Sequence, residues 1–143
     1  YVATTTSKIW KVDVGNCTST PSVSEVAAFA GRSATTRLFE ASDGKLYFGT
    51  SDGTLMRFDP STRAGEVVRS FAAATGSSDI VGYLSETKGR KLLMVLRDVD
   101  ATGWPVARRL VSFDPATNIF IQKDVSKLIV HDARYPGATP AQW

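Results

Sequence analysis

Oxygen-bearing side chains alternate through Asp98-Val99-Asp100-Ala101-Thr102-Gly103, the arrangement with which a tight loop wraps a calcium ion. Calcium takes about six to eight oxygen ligands, and alternate side chains of a turn supply several at once. The pattern then breaks, with Val106 at the ninth position and Arg109 at the twelfth, where a bidentate glutamate would close the shell. Asp98, Asp100 and Thr102 are therefore candidate calcium ligands, and a solvated turn is the preferred reading. The stretch runs on into Trp104-Pro105. A large aromatic beside a proline in a loop suits stacking on a sugar, a peptide or another protein. Trp104 is the first candidate for a binding residue, with Arg97, Asp98 and Asp100 around it. In the competing reading its indole folds back over a sheet edge.

Other chemistry is poorly represented. His131-Asp132 joins the single histidine to an acid, but neighbours along a strand point to opposite faces. No nucleophile elbow, histidine cluster or phosphate-binding glycine loop is present in the sequence. Glycoside hydrolysis needs two carboxylates at a set separation, and nothing places Glu40 and Glu86 opposite one another. The single cysteine, Cys17, excludes an internal disulfide and a multi-cysteine metal site. It lies in Asn16-Cys17-Thr18, formally a glycosylation triplet, where a turn or buried thiol is the plainer expectation. The chain is expected not to be an enzyme.

Of the 143 residues, 43% are hydrophobic and 22% charged, the balance of a globular protein with a core of its own. The net charge of +3 comes from scattered lysines and arginines with no aromatic platform between them. The densest group, Lys88-Gly89-Arg90-Lys91, reads as a hairpin turn, so nucleic acid is not an expected partner. The longest apolar run, Leu92 to Leu96, is far shorter than the ~20 residues of a membrane span. No charged segment leads into an apolar one at the start, and the first residue is Tyr1, so a processed product or a piece of something longer is expected. Abundant Ser, Thr, Gly and Ala with one Cys point to a secreted, periplasmic or cell-surface location.

The elements that must position these residues repeat. Three strands close on an aspartate, at Asp13, Asp59 and Asp114, about 50 residues apart. Each has an apolar strand before it, at 1–4, 45–50 and 91–96, and another after it, at 25–30, 66–72 and 119–125. The second and third copies carry a further leading strand, at 36–41 and 79–84. Asp43-Gly44 and Asp52-Gly53 are hairpin turns, since glycine takes the positive φ such turns need. Asp59-Pro60 and Asp114-Pro115 put proline where its fixed φ suits a turn and aspartate where it accepts backbone N–H groups. Leu46-Tyr47-Phe48 and Leu92 to Leu96 are apolar on both faces, as sheets stacked between neighbours must be. Four short strands recurring at this period are the mark of a β-propeller. The expected fold is all-β, about three blades of an incomplete propeller: a partial blade at 1–30, blades at 36–72 and 79–125, and a tail at 127–143.

The stretch "KLYFGTSDGTLMRFDPSTRAGEVV" resembles the repeat of quinoprotein-type (PQQ-repeat) β-propellers. Tyr47, Gly49, Ser51, Asp52, Gly53, Leu55, Asp59, Thr62 and Gly65 follow its order. Leu110, Asp114 and Thr117 follow it in the third copy, and Ile9 and Asp13 in the first. Arg69-Ser70-Phe71 stands where such repeats close on tryptophan. The resemblance implies propeller blades and, in its enzymatic form, a dehydrogenase fragment with PQQ and calcium on the propeller axis.

A closed propeller needs at least about four blades, so open blade faces would meet water. Remaining blades, from a longer chain or other subunits, are the expected partners, and an oligomer or larger assembly the expected state. The leading expectation is a non-catalytic scaffold for extracytoplasmic binding or assembly. The alternatives are the dehydrogenase fragment and a self-assembling structural subunit. A self-contained sandwich or prism of three sheets is the alternative fold.

Overall fold

A computed structural model of the chain describes residues 1–6, 8–15, 20–29, 31–71, 77–102 and 104–125. These residues form strands and turns without a helix, hence none long and apolar enough to cross a membrane. The strands make three antiparallel meanders. Sheet 1 contains β1 (Val2–Ala3), β2 (Lys8–Asp13) and β3 (Ser22–Ala28). Sheet 2 contains β4 (Phe39–Glu40), β5 (Leu46–Gly49), β6 (Thr54–Asp59) and β7 (Ala64–Ser70). Sheet 3 contains β8 (Ser77–Glu86), β9 (Leu92–Val99), β10 (Pro105–Asp114) and β11 (Ile119–Asp124). The all-β expectation holds. No closed ring is formed among the described residues.

The sheets share one internal register. Leu46 faces Phe58 and Phe48 faces Met56 in sheet 2; Leu92 faces Phe113 and Met94 faces Val111 in sheet 3. In sheet 1 Val2 takes the place of Phe48, opposite Trp10 in the place of Met56. Because side chains alternate across a strand, each sheet has two distinct faces. Leu46, Phe48, Met56 and Phe58 turn to sheet 1 and form a core with Ile9, Val26, Ala27 and Phe29. Tyr47 and Leu55 turn the other way, into a core with Ile80, Leu92, Met94, Leu96, Val111 and Phe113. Sheet 2 is thus the middle layer, as its two-sided apolar strands require. Each of these large side chains contributes about 1.5–3 kcal/mol by leaving water.

Aromatic side chains latch one sheet to the next. Phe29, just after β3, lies over Gly65 in β7, where a Cβ would overlap its ring. It meets Phe48 edge-on with centroids 5.4 Å apart. Phe71, just after β7, occupies the same place relative to sheet 3 and meets Phe120 at 5.6 Å. Phe120 stacks on Phe113 at 4.3 Å, with the Arg69 guanidinium over its ring. Gly49 matters for the same reason: a Cβ there would overlap Ile80, so only glycine lets β5 approach β8 this closely.

Two expected boundaries are corrected. The strand expected at 36–41 is reduced to Phe39–Glu40. The Thr36 hydroxyl takes the N–H of Gly49 at 2.8 Å, and the Thr35 hydroxyl donates to the Ile80 carbonyl at 2.6 Å. Side chains here occupy backbone groups that a longer ladder would use. The long loop expected at Arg97–Ala107 is mostly strand: β9 runs to Val99 and β10 starts at Pro105. Asn16, Cys17 and the tail with His131 and Asp132 lie outside the described residues.

Candidate functional site

The β9–β10 turn is organised by one carboxylate. Asp100 Oδ1 accepts the N–H of Thr102 at 2.9 Å, its hydroxyl at 2.6 Å and the N–H of Trp104 at 3.0 Å. The Asp100 N–H closes the turn on the Trp104 carbonyl at 2.9 Å. An aspartate that gathers the donors of its own turn fixes the backbone without tertiary support. The residue so held, Trp104, is 65% exposed, so its indole is not folded back over the sheet. An ordered turn carrying an uncovered indole can stack on a flat apolar or glycosidic surface at little entropic cost.

The other site residues read from the sequence are placed differently. Arg97 and Asp98 belong to β9, not to a loop, and adjacent positions send them to opposite faces. Arg97 holds the Asp79 carboxylate with two nitrogens, at 3.1 and 2.5 Å, and that hydrogen bonding, helped by the carboxylate's charge, raises its pKa above the ordinary arginine value. Asp98 is 7% exposed and points inward. It accepts from Arg109 Nη2 at 2.6 Å and from the Ser78 hydroxyl at 2.7 Å. A carboxylate matched this closely to a guanidinium has its charge offset inside the protein. Asp98 and Asp100 therefore do not converge with Thr102 on a common point. No group of three or more His, Cys, Asp or Glu able to hold a metal occurs among the described residues. Arg109, read from the sequence as a missing twelfth ligand, is the partner that makes Asp98 tolerable in the interior.

A parallel arrangement supports the neighbouring β5–β6 turn. Arg32 bonds the Asp52 carboxylate and the Thr54 hydroxyl, and the Thr50 hydroxyl donates to Asp52 as well. Burial pushes the Asp52 pKa up, but the bonds from Thr50 and Thr54 and the Arg32 charge outweigh it, leaving it below its ordinary value. Gly53, at φ +71°, packs this turn against Phe71 and Ser78, the start of the next sheet. One rim of the stack thus joins both turns through matched acids and arginines. Its described acids Asp52, Asp98 and Asp100 each accept hydrogen bonds that fix the local structure.

The opposite rim holds a cleft of about 320 Å³ lined by Ser42, Asp43, Glu86, Gly89, Arg90, Asp114, Pro115 and Ala116. Three turns from two sheets meet there. Glu86 accepts the Ser42 N–H at 3.0 Å and its hydroxyl at 2.7 Å, tying sheet 3 to sheet 2. Asp43 accepts from the Tyr47 hydroxyl at 2.8 Å, and Asp114 caps its own turn through the N–H of Ala116 at 3.0 Å. These carboxylates are structural. Glu40 is exposed on β4 and does not line the cleft. No single stretch of sequence signals this cleft, since it exists only where separate turns converge. Comparison with family models, with curated proteins and with solved structures found no match.

Proposed function

We propose that the chain is a run of β-propeller-type blades that serves as a non-catalytic scaffold for extracytoplasmic binding or assembly, with the Asp100–Trp104 turn as its contact point. Three successive antiparallel meanders, one of three strands and two of four, stacked face to face in chain order, support the blade reading. The observation that carries the binding role is Trp104, 65% exposed on a turn held by Asp100. An uncovered tryptophan on an ordered turn is the residue type and setting from which interface hot spots are built.

The test is an array of immobilised oligosaccharides and peptides probed with wild type and with Trp104→Ala. Retention that is lost in Trp104→Ala, with an unchanged melting temperature, supports the reading. Equal retention by both proteins, or none by either, retires it.

A further inference from the structure

Every sheet of the molecule has a forward face, turned to the next sheet, and a rear face, turned to the one before. Inside the chain these faces dock twice. Tyr1 and Ile9 of sheet 1 meet Phe58 and its neighbours on sheet 2, and Tyr47 and Leu55 of sheet 2 meet Leu92 and Phe113 on sheet 3. Among the described residues one forward face and one rear face are left over. On sheet 3, Leu110 holds the place of Leu55 and is 39% exposed, while Ile119 and Ile121 beside it are 56% and 54% exposed. On sheet 1, Trp10 and Val12 hold the places of Met56 and Phe58. Val12 is 40% exposed, and its cross-strand partner Val23 is 60% exposed.

We infer that these two faces are one heterologous interface, and that the forward face of sheet 3 receives the rear face of sheet 1 from a second copy of the chain. The occupant follows from the repeat. A forward face of this register already fits a rear face of this register at both internal junctions, so a second copy presents the same kind of surface to sheet 3. Each face also carries an ion pair. On the rear face Lys8 is paired with Glu25 at 2.6 Å, and on the forward face Arg97 is paired with Asp79 at 2.5 Å. Each of these pairs enters the interface already neutralised, while Lys123, opposite Leu110, and Arg108, opposite Arg97, add cationic side chains to the forward face. Head-to-tail contacts of this type close into a ring or run on as a filament, according to the rotation between copies. The inference rests on the blade reading of the sheets and not on Trp104.

Sedimentation velocity across a concentration series tests it. Wild type should form multiples of 15.4 kDa as concentration rises. Leu110→Glu/Ile121→Lys blocks the forward face, and Val12→Glu/Val23→Lys blocks the rear face. All four positions are exposed, so the folds should persist, which circular dichroism checks. Each variant alone should weaken self-association about tenfold or more. Mixed together they should form a one-to-one dimer, since each retains the face the other lacks. Trp104→Ala should associate as wild type does, which separates this test from that of the binding turn. A wild type that stays monomeric, a blocked variant that still self-associates, or a mixture without a dimer overturns the inference.

Discussion

Leu55 and Leu110 occupy the same position in consecutive sheets, yet Leu55 is fully buried and Leu110 is 39% exposed. The strands around them pair in the same order, although β9 and β10, of 8 and 10 residues, are longer than β5 and β6, of 4 and 6. What decides their burial is the neighbour: Leu55 has sheet 3 in front of it, whereas among the described residues no further sheet lies in front of Leu110. In a stack of similar layers, the weight of a side chain is set by its place in the stack more than by its residue type. A second contrast lies at the rim. Sheet 2 draws Arg32 from the preceding connection to satisfy Asp52, whereas sheet 3 satisfies Asp98 with Arg109 from its own adjacent strand.

The largest expected effect tests the first contrast. Leu55→Ala should cost about 3 kcal/mol in denaturant unfolding, because it leaves a cavity between two closed layers. Leu110→Ala in dilute solution should cost about 0.5 kcal/mol. Near-equal costs would mean that the forward face of sheet 3 is covered in solution, and the contrast would fail. Next in size, Asp98→Ala takes the carboxylate from the largely buried Arg109, leaving its bonds to Ser78 and Gln122, and should cost about 2 kcal/mol. Asp52→Ala should cost under about 1 kcal/mol, since its side chain is 49% exposed and water can replace it. A reversal of that order would show that the rim of sheet 2 is the tighter of the two.

The smallest effect sharpens the comparison of Tyr47 with Leu93, its counterpart in sheet 3. Burial, with the bond to Asp43, pushes the Tyr47 hydroxyl up to about 12 from 10.0. A raised pKa means that the neutral form is favoured by folding. The stabilisation is complete below pH 10 and is lost as pH rises towards 12. The unfolding midpoint of wild type should therefore fall across that interval more steeply than that of Tyr47→Phe. Parallel curves would exclude Tyr47 as the source.

The strands and tight turns were legible because their signals are local. Asp43-Gly44 and Asp52-Gly53 fold as the turns their residue types require, with glycine φ of +75° and +71°. The two-sided apolar run at Leu46–Phe48 does lie between two cores, whereas Leu92–Leu96, read the same way, is buried on one face and only half-buried on the other. The β9–β10 loop misled because Asp98, Asp100, Thr102 and Gly103 have turn chemistry, while the fact that decides Asp98 is its bond to Arg109 on the next strand. An acid in a strand reads as surface until its partner across the sheet is known. The latches were hidden for a similar reason: nothing in Gly65 itself announces that Phe29 will cover it.

The division of sheet 2 between two separate cores has a consequence for how the molecule opens. Among the described residues none of sheet 1 belongs to the core between sheets 2 and 3, so either outer sheet can detach while the far core stays dry. Amide hydrogens of β5 and β6, bonded within their own sheet, should exchange only after both neighbours have left and the sheet itself has opened, and those of β1–β3 or β8–β11 once their own sheet has lifted off and opened. The middle sheet is therefore the keystone, where solvent exchange comes last, and loss of order proceeds inward from the two ends.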